Sequence, residues 1–272
     1  MKDRNLTKNT PGRLKRSRFD MIFLVLAGAM VAYVSYPIVN IFTLLKPTTF
    51  LESMVRSEVA NAFILSLITA TISTLLVAIF GIPLAYFLAR IHFKGKFLVR
   101  LIVIVPLVLP PLASGALLLG IFGPHSMLGK AFPLEFTQSV LGVIIAQTYV
   151  ASPFMILASQ ASFESVDESY EKVARILGKN RLETFLHVTL PLAKTGILVG
   201  FIMAWVRSVG ELGATMMMAY NPHTISIQVF EDNAVGGLSN ALPTILLVIV
   251  LSMIALAIFY ILRKEEALKP IW

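Results

Sequence analysis

Two charged side chains lie inside the apolar stretches of this 272-residue chain, in the run Arg207-Ser-Val-Gly-Glu211. They are four residues apart, so on a helix they share one face and can neutralise each other. A single charge in lipid is costly, so an intramembrane ion pair calls for a structural or functional explanation. It can hold helices together, or it can form part of a polar route across the membrane. The sequence leaves both interpretations open for Arg207 and Glu211.

Neutral groups supply the other candidate contacts for a ligand inside the membrane. Pro106, Pro110 and Pro111 interrupt one apolar stretch, and the backbone groups that such a break releases must face protein or a water-filled cavity. Together with those backbone groups, Ser114 and Thr215 are the candidate hydrogen-bond donors to a polar ligand there.

Glycines flank the acidic member of the charge pair. Gly210 and Gly213 lie on either side of Glu211, and small residues allow helices to approach closely. Close packing is one explanation of this pattern, and the narrow wall of a transport route is the other.

Residues for covalent or metal chemistry are scarce. The chain has no cysteine, which excludes disulfides and thiolate metal sites, and its four histidines are scattered along the sequence. No G-x-x-x-x-G-K-[ST] phosphate-binding loop occurs. We therefore expect no catalytic residue, no metal and no cofactor on this chain.

The elements that position these groups are apolar and long. Hydrophobic residues make up 57% of the chain and charged residues 14%, whereas a soluble domain carries about 25% charged residues. A membrane-spanning helix needs about 20 mostly apolar residues. Six runs meet that length, at about 20–45, 59–89, 98–122, 139–161, 195–219 and 241–262. The sequence therefore predicts an all-α integral membrane protein with six transmembrane helices.

Basic residues are concentrated in alternate connecting segments. Seven precede the first run, four follow the second, five follow the fourth and three follow the sixth, against three in the intervening segments. The positive-inside rule then places both termini in the cytoplasm, with the protein in the cell membrane. We expect a basic tail at 1–18, a transmembrane domain at 19–262 and a cytoplasmic tail at 263–272. The net charge of +8 thus reports loop orientation, and no nucleic acid partner is expected.

The cytoplasmic loop 162–192, between the fourth and fifth runs, is long and patterned. Ser165 with Glu168 predicts the start of a helix and Gly178 its end, while Asn180 with Glu183 begins a second helix that Pro191 stops. Apolar residues recur at helical spacing along the first helix: Phe163, Val166, Tyr170, Val173, Ala174 and Leu177. Such an amphipathic pair lies either on the lipid surface or in a groove of a partner protein.

The residues of this loop resemble a known motif. Glu171-Lys-Val-Ala-Arg-Ile-Leu-Gly178, followed after nine residues by Val188-Thr-Leu-Pro191, is similar to the cytoplasmic loop of ABC importer permeases. That motif has a Glu-Ala-Ala element, where this chain has Lys-Val-Ala with the acid displaced to Glu171. In the family the loop is a coupling helix seated in a cleft of the ATPase subunit. The resemblance implies ATPase coupling by Glu171, Lys172, Ala174, Arg175, Gly178, Phe185, Leu190 and Pro191.

Two further stretches resemble the permeases for sulfate, molybdate and tungstate: Pro106 to Gly123, and Arg207 to Thr215. The resemblance implies a molybdate or tungstate importer with two ATPase subunits, which hold the ATP and Mg, and two permease copies as a homodimer. An external oxyanion-binding protein completes the system. The predicted outer loop 222–240 agrees with the need for a separate binding protein. It carries Glu231 and Asp232 and no basic residue, so it is unsuited to capture an anion itself.

Other functions remain as alternatives. A sulfate or thiosulfate permease is the nearest of them. An ion-coupled secondary transporter would show inverted repeats and several intramembrane ionisable groups, whereas this sequence has one charge pair and no internal repeat. An intramembrane enzyme would need a nucleophile with a base, or a metal site, within the spans.

Overall fold

The structure is a computed structural model that describes residues 18–45, 50, 56–132 and 134–267. The predicted tail at 1–18 therefore lies outside the described residues except for Arg18, as does the predicted tail at 263–272 beyond residue 267. The chain divides into two compact units, residues 1–46 and 47–272. In the first unit, α1 (Arg18–Leu44) is a 27-residue helix, about 40 Å long and therefore able to span a membrane.

The regular elements among the described residues of the second unit are all helices, without a strand. The elements are α2 (Ser57–Arg90), α3 (Lys96–Val108), α4 (Pro111–Phe122), α5 (Met127–Ala131), α6 (Val140–Ser165), α7 (Glu168–Ile176), α8 (Arg181–Thr184), a π-helical turn (Phe185–Thr189), α9 (Leu190–Val209), α10 (Gly213–Met218) and α11 (Ile225–Ala267). The all-α class is thus confirmed.

Six helical segments of the described chain are long and apolar enough to cross a membrane, as the sequence predicted. Three of them differ in position from the predicted runs, at Pro111–Ala131, Arg181–Val209 and Ile225–Ala257. The first two of these segments end or begin at a helix break, and the third includes one. Pro110 separates α3 from α4 because it lacks an N–H, and Pro111 then occupies the first turn of α4. Residues 210–212 separate α9 from α10, and Gly237 interrupts α11 with a φ of 67°.

The segment 222–240 is not the loop that the sequence predicted. It is helical from Ile225 onward, and its acidic residue Asp232 is buried at 2% exposure, where it accepts hydrogen bonds from other side chains. Arg56, before α2, lies 3.2 Å from the Asp232 carboxylate, and Gln228 donates to it at 3.0 Å. Thr244, beyond the Gly237 break, donates to the other carboxylate oxygen. Asp232 therefore joins both halves of α11 to the start of α2.

The centre of the second unit is α6, which packs between α2 and α9. Small residues permit the close approach: a Cβ at Gly200 on α9 would lie 3.0 Å from the Ala158 Cβ and 3.2 Å from the Met155 carbonyl oxygen. A polar contact adds to this packing, because the Ser73 hydroxyl on α2 donates to the Ile144 carbonyl on α6 at 3.1 Å. The three helices form the scaffold that carries the patterned loop.

The loop 162–192 contains the two predicted short helices, α7 and α8. Gly178 adopts a φ of +90° after α7, a conformation that favours glycine, and the capping box of Asn180 and Glu183 is formed. Two details of the prediction were wrong. Asp167, not Ser165, caps α7, because the Ser165 hydroxyl donates to the Ser162 carbonyl instead. Pro191 stops no helix: it lies in the first turn of α9, where a missing N–H costs little.

The cap of α7 gives a testable pH dependence. The Ser169 N–H donates to the Asp167 carboxylate at 2.8 Å, and this backbone hydrogen bond lowers the pKa of Asp167 below its usual range. Its stabilisation of α7 is present above the ordinary Asp pKa of about 3.9 and is lost as the pH falls through the lowered value. Asp167→Ala should speed amide hydrogen exchange in the first turn of α7. Asp167→Asn should preserve the protection of these amides from exchange, since Asn caps as well as Asp. In this variant the protection should no longer decrease at acidic pH.

Candidate functional site

The patterned loop is fixed to the membrane helices through the carboxylate of Glu171. Glu171 is 5% exposed, and the Arg90 Nε at the end of α2 donates to its Oε1 at 2.8 Å. The Thr189 hydroxyl donates to the same oxygen at 3.0 Å, and the Tyr86 hydroxyl lies 3.4 Å from Oε2. One carboxylate thus connects α7, α2 and the π-helical turn.

The guanidinium of Arg90 extends this connection. Its Nη2 donates to the Val166 carbonyl at 2.7 Å, just before α7 begins. The Arg90 and Glu171 side chains are 9% and 7% exposed, so the pair is shielded from water. We call this pair the Arg90–Glu171 clamp. It holds α7 to the end of α2.

Aromatic packing fixes the second short helix in the same way. The Phe185 ring lies 4.8 Å from Tyr86 and 6.0 Å from Phe163, centroid to centroid. Tyr86 and Phe163 are themselves in an edge-to-face contact at 5.5 Å. The inner side of α8 and the π-helical turn is therefore part of the protein core.

The outer side of the loop presents apolar residues to its surroundings. Ile176 and Leu177 are 83% and 78% exposed, and Leu182 is 66% exposed. Between them, Gly178 leaves open space, since a Cβ there would meet nothing within 4 Å. We call Ile176, Leu177, Gly178 and Leu182 the loop tip. Exposed apolar residues at the end of a structured loop are typical of a site that contacts another protein or a membrane.

The structure divides the eight predicted coupling residues into two groups. Facing inward are Glu171, Ala174, Phe185 and Leu190; facing outward are Lys172, Arg175, Gly178 and Pro191. Sequence reasoning missed Arg90, Tyr86 and Thr189 of the inner group because their partner is distant in the chain, 81 residues away for Arg90. The predicted coupling set also omitted Ile176, Leu177 and Leu182 of the loop tip, although an apolar pair directly before a helix-ending glycine is a usable signal.

The intramembrane charge pair is formed, and it lies at the break between α9 and α10. The Arg207 guanidinium contacts the Glu211 carboxylate, which also accepts the Ala214 N–H at 2.7 Å. Glu211 is 1% exposed, whereas the Arg207 side chain is 27% exposed. Glu211 thus bridges the two helices across residues 210–212. This arrangement favours the interpretation that the ion pair holds helices together over the interpretation that it contacts a passing anion.

The two predicted hydroxyl donors lie on neighbouring helices, Ser114 on α4 and Thr215 on α10. A glycine lies where these two helices pack together. A Cβ at Gly213 would lie 2.7 Å from the Pro111 Cβ, so this glycine allows the two helices to pack closely. Ser114 and Thr215 are fully buried, and within the described part of the chain neither hydroxyl has a hydrogen-bond partner. Gly210 differs from Gly213 because it is exposed at the helix break, with only the Val206 carbonyl within 4 Å of its Cβ position.

Comparison with known proteins identifies the architecture. Residues 81–265 match the family described as the inner membrane component of binding-protein-dependent transport systems. The chain belongs to this family. Its members are transport components of the inner membrane, which agrees with the expectation that this permease is a multi-pass membrane protein without an enzymatic activity of its own.

Curated relatives match over most of the permease. A probable molybdenum ABC transporter permease of Haloferax volcanii is 39% identical over 239 residues, 88% of this chain and 88% of the relative. A molybdate/tungstate transport system permease of Pyrococcus furiosus is 36% identical over 257 residues, 92% of this chain and 96% of the relative. A putative molybdenum permease of Bacillus subtilis is 31% identical over 222 residues, 79% and 97% of the two chains.

Solved structures share the fold. A chain of a bacterial ABC transporter that imports alginate superposes with a TM-score of 0.67 at 18% identity, covering 94% of this chain and 99% of the other. A chain of the alginate transporter in complex with its periplasmic protein gives a TM-score of 0.71 at 15% identity, covering 89% and 92%. At these identities the likeness shows the fold alone, which is that of an ABC importer permease.

Proposed function

We propose that this chain is the membrane permease of an ATP-driven importer for molybdate or tungstate. The observation that carries the substrate is the 36–39% identity to permeases named for these anions, over about nine tenths of the chain. The stretches around Pro106–Gly115 and Arg207–Thr215 support the same substrate class by resemblance. A sulfate or thiosulfate permease is the alternative within this architecture.

The patterned loop is the part that receives energy from the ATPase. In this proposal the loop tip docks on the ATPase subunit, and Lys172 and Arg175 on its outer face make polar contacts there. ATP and Mg are bound by that partner, and closure of the ATPase moves α7. The Arg90–Glu171 clamp, with its 2.8 Å contact, transmits the movement to α2 and thereby changes which side of the membrane the helices open to.

The orientation and the partners follow from charge and from the family. The alternate basic segments support a cell-membrane protein with both termini and the patterned loop in the cytoplasm. An external binding protein delivers the anion at the opposite side. Two permease copies, each with one ATPase subunit, enclose the route, and we assign a homodimer by resemblance to the molybdate and tungstate permeases.

The route itself needs weak contacts, since a tight site would retain the anion. An arginine already paired with Glu211 offers little net positive charge, which suits passage better than capture. Ser114 and Thr215 are buried where α4 meets α10, so they can contact the anion only when these helices separate in the transport cycle. The exposed break at Gly210 is the other candidate contact.

The test is ATP hydrolysis by the complex reconstituted in lipid, with the binding protein loaded in turn with tungstate, molybdate or sulfate. We expect stimulation by the tungstate- or molybdate-loaded protein and none by the sulfate-loaded protein. The unloaded binding protein is the control. Stimulation by sulfate alone would preserve the architecture and replace the substrate, and a complex without any ATPase activity would contradict the proposal.

A further inference from the structure

A cavity of about 680 Å³ opens beside the Arg90–Glu171 clamp, between the end of α2 and the helices α7 and α8. One wall is formed by Pro83, Phe87 and Ile91, and the facing wall includes Leu182 and Phe185. The interior is therefore mainly apolar. It lies where a membrane span ends and the patterned loop begins, so its mouth is at the boundary between lipid and water.

The charged groups around the cavity are predominantly basic. Glu171 is already neutralised by Arg90 at 2.8 Å. Three cations and one further acid remain in the lining: Lys172, Arg175, Arg181 and Glu168. Lys172 and Arg175 approach the acids only to 3.8 Å and are 72% and 45% exposed. The rim thus keeps a net positive charge that no side chain of the lining neutralises.

An apolar track on α2 leads from the membrane into this cavity. Phe80, Pro83 and Phe87 recur at intervals of three or four residues, so they share one face at the end of α2, and Ile91 is the first residue beyond the helix. Phe80 is 71% exposed, and Phe87 and Ile91 are 39% and 40% exposed. Because α2 has 34 residues, it is about 50 Å long and extends beyond the hydrocarbon core, which is about 30 Å thick. The track therefore runs from the hydrocarbon to the basic rim.

We propose that this cavity binds an anionic phospholipid. Its phosphate lies beside Arg181 at the basic rim, and an acyl chain follows the α2 track. Basic pockets beside membrane helices are suited to anionic lipid head groups. The apolar track distinguishes a lipid from a free oxyanion, which would gain nothing from contact with Phe80 and Phe87. The proposal depends on membrane insertion and not on which anion is transported.

The test uses the full-length permease in nanodiscs of phosphatidylcholine and phosphatidylglycerol, with native mass spectrometry of the lipids retained after gentle extraction. We expect phosphatidylglycerol to be retained in preference to phosphatidylcholine. Arg181→Gln should reduce that retention about fivefold, the loss expected for one cation near a lipid surface. Ile91→Trp fills the cavity without changing its charge and should reduce retention of the anionic lipid as well.

Lys179→Gln is the matched control, because Lys179 is an exposed cation two residues away that does not line the cavity. An equal loss in this variant would overturn the proposal by showing attraction to the basic surface in general. Displacement of the lipid by millimolar inorganic phosphate would overturn it in favour of a free-anion site. Loss of the lipid on addition of the ATPase would also overturn the proposal, by showing that the partner protein occupies the cavity. None of these results depends on substrate transport, so they are independent of the proposed function.

Discussion

Leu177→Asp should abolish copurification of the ATPase with the permease while leaving membrane insertion unchanged. Leu177 is 78% exposed beside Ile176 at the loop tip, so a carboxylate there removes apolar contact with a partner without disturbing the core. A residue at the centre of an interface costs about 2 kcal/mol or more when its contact is lost, a weakening of about thirtyfold. The measurement is ATPase recovered with the tagged permease from detergent-solubilised membranes.

The controls separate loss of docking from loss of folding. Leu177→Met keeps the apolar contact and should copurify the ATPase as well as the natural protein does. Gly178→Asp should also prevent docking, although it adds backbone strain at a φ of +90°. Phe185→Asp is a poor probe, because Phe185 packs on Tyr86 and Phe163 and its replacement damages the loop itself. Undiminished copurification with both Leu177→Asp and Gly178→Asp would refute the docking role.

The loop shows which features of this structure were accessible from sequence. Gly178, the capping box of Asn180 and Glu183, and the two short helices depend on residues within four positions of each other, so local pattern predicted them. The contact of Arg90 with Glu171 joins residues 81 positions apart. No rule based on sequence spacing predicts a contact over that distance. The coupling motif suggested a partner for Glu171 in the ATPase, and it gave no indication of the partner within the same chain.

The opposite end of the permease shows a second limit of sequence reasoning. An acidic residue in a segment of moderate hydropathy predicts an exposed loop, yet Asp232 is buried because Arg56, 176 positions earlier, satisfies it. The Arg207–Glu211 pair was predicted because its members are one helical turn apart. Its second partner, the Ala214 N–H, was not predicted, because that contact depends on the helix break at residues 210–212.

Removing one partner of the Arg90–Glu171 clamp should destabilise the permease strongly. Glu171→Leu leaves the Arg90 guanidinium buried, at 9% side-chain exposure, without a countercharge. Breaking a buried ion pair in this way costs about 3–5 kcal/mol. We expect a lower midpoint of thermal unfolding in detergent, and reduced ATPase docking as α7 separates from α2. Arg90→Leu should be comparably damaging, because the Glu171 carboxylate is then the unpaired charge.

The double variant and a surface pair distinguish the effect of a buried charge from the effect of a lost contact. Arg90→Leu with Glu171→Leu removes both charges, so it should be more stable than either single variant, since the desolvation cost disappears together with the attraction. Arg100 and Glu164 form an ion pair at the same 2.8 Å, but their side chains are 40% and 45% exposed. Arg100→Leu should therefore cost less than about 1 kcal/mol. Glu171→Leu and Arg100→Leu can be compared directly by their unfolding midpoints. An equal decrease would show that burial does not make the clamp more stabilising than a surface ion pair. The proposed role of the clamp in transmitting movement to α2 would then lose its physical basis.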